Sequence, residues 1–140
     1  MVRITVALGD RAYDVHVGCG LIDEAGRIVT GRTEAGKAAI ITDEGVPPFH
    51  VERVAISLAR AGLEIIRIVV PSGDDSKTLQ HVEQVCDRVV RAGIERRSLI
   101  VAVGGGMLMD LGGFCGAILF RGLPWLAQAS DADGERQPSQ

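Results

Sequence analysis

The stretch LIVAVGGGMLMDLGGFCGAILF, residues 99–120, decides the fold. Leu99 to Val103 read as a buried strand, Gly104, Gly105 and Gly106 as a turn, and the apolar segment after them as a helix. A strand that runs through glycines into a helix is a phosphate-cradling arrangement. Without Cβ atoms the backbone approaches a ligand closely, and the helix N-terminus presents unpaired N–H groups to an anion. A nucleotide pyrophosphate is the natural guest. The glycines lack the spacing of the G-x-G-x-x-G fingerprint, so a tight turn without a ligand is the competing reading.

Outward from that stretch, the chain supplies more strands of the same kind. Residues 37–42, KAAIIT, form an apolar run that predicts a central parallel strand and delivers Asp43 and Glu44 at its carboxyl end. Pro47 and Pro48 open a helix with Val51, Val54, Ala55, Leu58 and Ala61 as its buried stripe, and Gly62 ends it. Residues 64–70, EIIRIVV, are the next strand, followed by the polar loop Pro71 to Lys77, whose Ser76 is placed to cap another helix. That helix carries Leu79, Val82, Cys86, Val89 and Val90 on one face and stops near Gly93. Residues 2–8 and 13–17 alternate around Gly9-Asp10-Arg11 and predict a β-hairpin at the sheet edge, and residues 21–29 predict a short helix. The succession of strand and helix implies right-handed crossovers and a mostly parallel α/β sheet with helices on both faces.

The 140 residues, with 46% hydrophobic and 24% charged, fit one globular domain. A net charge of -3 with interspersed signs gives no basic patch, which argues against nucleic-acid binding. No stretch reaches the roughly 20 apolar residues of a membrane span or resembles a signal segment, so the expected location is the cytoplasm. Cys19, Cys86 and Cys115, odd in number and far apart in sequence, fit reduced thiols rather than a disulfide framework or a metal site. His16, His50 and His81 lack the spacing of a zinc site and are expected in surface roles, and no metal ligand is assigned.

In an open parallel sheet the ligand crevice lies at the carboxyl ends of the strands. Three groups are expected there: Asp43, the loop Gly73 to Lys77, and Gly104 to Asp110. Asp43 is placed to accept hydrogen bonds from a ribose diol or, alternatively, to cap a helix. Lys77 offers a point charge for phosphate, Gly73 flexibility, and Asp74 a partner for the lysine or a ligand hydroxyl. Asp110 would repel a phosphate, so it is expected to face a hydroxyl, an amide or a cation, or to stabilise the helix dipole. Arg121 either caps a helix C-terminus or reaches an anionic substrate.

The blocks YDVHVGCGLI (13–22), IITDEGVPPFH (40–50), VPSGDDSKTL (70–79), IERRSLIVAVGGG (94–106) and DLGGFCGAILFRG (110–122) resemble, in order and spacing, the N-terminal half of 3-dehydroquinate synthase. The resemblance implies a Rossmann-like NAD-binding domain over residues 1–125, and residues 126–140 are read as a polar, disordered tail. It implies a lyase of the shikimate pathway, dependent on NAD and on zinc or cobalt, that converts 3-deoxy-D-arabino-heptulosonate 7-phosphate into 3-dehydroquinate. Carried across, the nucleotide contacts fall on Asp43, Gly73, Asp74, Lys77, Gly104, Gly105, Gly106 and Asp110, with Arg121 and Asp110 in catalytic roles. The implied partners are NAD, a sugar phosphate, and either a homodimer mate or a complementing metal-binding domain.

The sequence departs from the family pattern at Asp74, where glutamate is usual, and at Met109, where glycine is usual. If position 109 needs a positive φ or a close ligand approach, a methionine there costs affinity. The family's later nucleotide-binding segments and its helical metal domain have no counterpart here. The expectation is therefore a truncated or separately encoded piece, inactive alone. A related sugar-phosphate cyclase, a glycerol-dehydrogenase-like oxidoreductase and a non-catalytic nucleotide-binding remnant are the alternative readings.

Overall fold

Two uninterrupted apolar runs form the centre of the sheet. In the computed structural model, which describes residues 2–18, 20–72 and 78–129, these are strands β3 (Lys37–Asp43) and β5 (Ser98–Gly104). Every residue of β5 is buried, as are Ala38 to Thr42 of β3. A strand with neighbours on both sides and helices on both faces has no solvent side, hence no alternation. The outer strands β4 (Glu64–Val70) and β6 (Trp125–Ala129) complete a parallel sheet of order β4-β3-β5-β6.

Four helices cover it: α1 (Ala25–Val29), α2 (Pro48–Arg60), α3 (Leu79–Arg91) and α4 (Gly106–Ile118). From β3 the chain moves to β4 on one side, then crosses back past β3 to β5 and onward to β6. Right-handed crossovers with that reversal send α2 to one face and α3 and α4 to the other. The helix contacts agree, since α1 packs on α2 and α3 on α4.

Several expectations are corrected. The hairpin of β1 (Val2–Val6) and β2 (Tyr13–Val17) forms a separate two-stranded sheet rather than an edge of the main one. Asp14, on its polar face, is ion-paired with Arg32, which ties the hairpin to the loop after α1. The cap of α3 is Thr78, whose Oγ1 accepts the His81 N–H at 3.2 Å, while Ser76 lies outside the described residues. Along α3 the buried positions are Val85 and Val89; Leu79 is 79% exposed and Val90 47%. Leu79 sits in the first turn, and Val90 is rotated about 100° from Val89, off the buried stripe. Ala61 is exposed because α2 has already ended at Arg60. The boundary expected after residue 125 falls inside β6, where residues 125–129 pair with Ile100 to Gly104. Residues 130–140 lie outside the described residues.

Candidate functional site

The reversal at β3 fixes where a ligand fits. The helix after β3 leaves for one face and the helix after β5 for the other, so a crevice opens between the carboxyl ends of these adjacent strands. Their last paired residues are Ile41 and Ala102; continued two residues further, the same register brings Asp43 level with Gly104.

The three glycines at this point have different duties. Gly104 has φ +152°, and a Cβ there would meet Leu108 Cδ1 at 2.2 Å and Val46 Cγ2 at 3.2 Å, so the turn itself requires it. A Cβ on Gly105 or Gly106 would meet nothing within 4 Å, so these two line open space. Gly105 is the N-cap of α4 and supplies no side-chain hydrogen bond to it. The first N–H groups of a 13-residue helix start at this open turn, with the positive end of the helix dipole behind them.

On the other lip, Asp43 is partly buried, and its Oδ1 accepts the Gly45 N–H at 2.8 Å. This bond orients the carboxylate and closes a tight turn, together with Val46 N–H on the Asp43 carbonyl at 3.2 Å. Its other oxygen, Oδ2, has no partner among the described residues and is available to a ligand hydroxyl. Glu44 N–H binds the Val70 carbonyl at 3.1 Å, which couples this turn to the end of β4, and Ser72 packs beside Gly45. Next to Asp43, the buried Thr42 Oγ1 has no hydrogen-bond partner among the described residues. Sequence reasoning missed Thr42 and Ser72, since single hydroxyls in a strand and a loop carry no spacing signal.

Asp110 stands one turn into α4 and lines, with Thr78, Leu79, Val82, Leu111 and Phe114, an apolar groove of about 290 Å³ between α3 and α4. The groove lies at the same end of the sheet as the crevice, because α3 and α4 both start there. Gly73, Asp74 and Lys77 lie outside the described residues. Met109 is helical, with a negative φ and its N–H on the Gly105 carbonyl at 3.1 Å, so the methionine costs no backbone strain. Arg121 is not brought to this crevice by its own backbone. It follows α4 in a short 3-10 turn, Leu119–Arg121, at the amino end of the sheet, about 20 Å of helix away. Phe120 within that turn has φ +48°, and Gly122 after it has φ +109°.

Elsewhere, a cavity of about 510 Å³ between α1 and α2 is lined by Asp23, Arg27, Arg53 and Arg60. Asp23 takes a bidentate fork from Arg53, which holds its carboxyl below the usual range, and Glu24 pairs with Arg27. These carboxylates neutralise two of the three cations, so the cavity is a poor anion site. Cys86 and Cys115, distant in sequence, are free thiols on α3 and α4, close enough to influence each other electrostatically. Burial pushes both thiols up, the buried Cys115 to about 12, which makes it an inert core group; Cys86 is half-buried against the core. His81 Nδ1 lies 2.8 Å from Thr78 Oγ1, and His50 stacks on Phe49. Among the described residues no three His, Cys, Asp or Glu side chains gather, so no metal ligand set is assigned. None of the described helices is long and apolar enough to cross a membrane.

The family model described as 3-dehydroquinate synthase N-terminal matches residues 67–131. A 3-dehydroquinate synthase of Rhizobium etli is 42% identical over 120 residues, which is 86% of this chain and 32% of the relative. The chain thus spans about a third of the length of the curated relatives it matches. Among solved structures, a 2-deoxy-scyllo-inosose synthase complexed with carbaglucose-6-phosphate, NAD+ and Co2+ superposes with a TM-score of 0.81 at 25% identity, over 90% of this chain and 34% of that one. A 2-epi-5-epi-valiolone synthase from Streptomyces hygroscopicus with NAD+ and Zn2+ bound gives 0.67 at 27% identity, over 87% and 33%. The chain is similar to the 3-dehydroquinate synthase family, over the N-terminal part that the family model describes.

Proposed function

We propose that this chain is the NAD-binding part of a 3-dehydroquinate synthase. The observation that carries the reading is the crevice where β3 and β5 diverge, with Asp43 on one lip and the open Gly105-Gly106 turn on the other. The pyrophosphate sits against that turn and the first N–H groups of α4. The Asp43 carboxylate, oriented by Gly45, accepts from a ribose hydroxyl. Lys77 neutralises phosphate charge, with Gly73 and Asp74 beside it. Asp110, on the α3 side, meets a hydroxyl of the nucleotide or the substrate. When bound, NAD supplies reversible hydride transfer at a substrate hydroxyl.

The proposed reaction is elimination of phosphate from 3-deoxy-D-arabino-heptulosonate 7-phosphate with ring closure to 3-dehydroquinate, in the shikimate pathway and in the cytoplasm. The 42% identity to 3-dehydroquinate synthases supports this substrate. The solved structures support a second reading, a sugar-phosphate cyclase with a cyclitol product, through their 2-deoxy-scyllo-inosose and valiolone synthases. Both readings place NAD in the same crevice. For the 140 residues alone the proposal is nucleotide binding without turnover; Asp110 and Arg121 are the residues assigned toward the sugar phosphate, and zinc or cobalt engages residues other than those assigned here.

Calorimetric titration with NAD tests the assignment. Saturable binding, weakened by Asp43→Ala and by Lys77→Ala, is expected. Absence of binding at millimolar NAD in a folded sample would overturn it.

A further inference from the structure

The cavity between α1 and α2 lies on the face of the sheet away from α3 and α4 and takes no part in the nucleotide reading. Its volume of about 510 Å³ is that of a small-molecule site. Backbone contact fixes its floor: a Cβ on Gly26 would meet the Ser57 carbonyl oxygen at 2.2 Å, so the two helices cannot slide past each other there. The Ser57 hydroxyl adds a lock, accepting the Gly26 N–H at 2.9 Å and donating to the Asp23 carbonyl at 2.8 Å. Two guanidiniums on the walls are fixed as well. Arg53 grips both carboxylate oxygens of Asp23, and Arg27 pairs with Glu24, so their planes are oriented before any ligand arrives.

Arg53, Ile56 and Arg60 follow one another at helical spacing along the α2 wall. Ile56 is 46% exposed, an apolar surface between two guanidiniums. Arg60 is exposed and has no hydrogen bond or ion pair among the described residues. Three cations against Asp23 and Glu24 leave one positive charge. Arg60 also stands in the last turn of α2, where the negative end of the helix dipole opposes a second negative charge on a ligand. The cavity is thus unsuited to a phosphate dianion and matched to a monoanion. A guanidinium forks a carboxylate and stacks on an aromatic face, and an exposed isoleucine offers the ring a dry surface.

We propose that this cavity binds a small aromatic monocarboxylate, with its carboxylate on Arg60 and its ring over Ile56 against the plane of Arg53. Benzoate titrated into the whole chain and followed by amide NMR tests the assignment. Saturable shifts are expected on Asp23 to Thr30 and on Arg53 to Ala61, with a dissociation constant on the order of 1 mM. Acetate, which lacks the ring, and benzamide, which lacks the charge, should each bind about tenfold more weakly or worse. Arg60→Gln, at the exposed end of α2, should leave the thermal melt unchanged and weaken benzoate about tenfold. Should that variant fail to fold, the three ligands on the unmodified chain decide the matter. Absence of saturable shifts at about 20 mM benzoate would overturn the proposal, as would shifts centred elsewhere. So would acetate or benzamide binding as well as benzoate, or a folded Arg60→Gln chain that binds it undiminished.

Discussion

A Cβ built on Gly112 of α4 would lie 2.7 Å from the Cβ of Ala102 in β5. The helix therefore rests on the sheet as closely as two backbones permit, and this contact sets the height at which the Gly105-Gly106 turn stands over the crevice. Gly112→Val is expected to destabilise the chain by about 1–3 kcal/mol through overpacking, read as a lower urea midpoint. Gly105→Ala, whose Cβ meets nothing, should leave the midpoint within about 0.5 kcal/mol of the parent.

Asp43 serves the fold through one oxygen and, in the proposed function, the ligand through the other. Asp43→Asn keeps an acceptor for Gly45 N–H at the Oδ1 position, so the melting temperature should hardly move. Loss of the charged acceptor for a ribose hydroxyl should weaken NAD binding about tenfold, measured by calorimetry. Equal losses of stability and affinity would assign the residue to the turn alone.

Thr78 is the cap that begins α3, and its Oγ1 accepts from His81. Thr78→Ala should cost about 1 kcal/mol, with faster hydrogen exchange concentrated in the first turn of α3.

Acid sensitivity follows from two paired carboxylates. Thr5 and Arg32 hydrogen-bond Asp14, and Arg53 hydrogen-bonds Asp23; both carboxyls are held below their ordinary value. A depressed folded-state pKa gives stability that is present above the unfolded value, near 4, and lost as pH falls through the folded one. The melting temperature should be insensitive to these groups between neutrality and about pH 5 and fall below about pH 4. Asp14→Asn together with Asp23→Asn should flatten that acid limb.

The two raised thiols, one buried and one half-buried, give a further check. With Cys115 pushed up to about 12 and Cys86 also raised, neither should react with an aromatic disulfide reagent in the native state near pH 8, and both should react once unfolded. Mass mapping of the modified cysteines distinguishes them from Cys19.

The core strands were legible because burial on both faces leaves a plain apolar run, as in residues 99–103 and 38–41. The glycine turn and Asp43 could be placed at one crevice because strand order follows from short crossovers. Other features were hidden by the same reasoning. WLAQA, residues 125–129, is too short and too weakly patterned to read as a strand by itself and pairs as one through its ladder with Ile100 to Gly104. Leu79 reads as a core position by type but projects from the first turn of α3, where nothing covers it among the described residues. For Arg121 the sequence offered either a helix C-terminal cap or a contact with an anionic substrate, and α4 carries its backbone to the end of the sheet away from the glycine turn. The hairpin's alternation was plain, but which face turns outward is decided by the tie between Asp14 and Arg32, far apart in sequence.

The most direct test of the account is the amide spectrum of the chain titrated with NAD. Saturable shifts centred on Asp43, Glu44, Gly45, Gly104, Gly105 and Gly106 and on the segment from Gly73 to Lys77 are predicted, with the first turn of α4 following. Shifts centred on Arg27, Arg53 and Arg60 between α1 and α2, or no shifts at millimolar NAD, would contradict it.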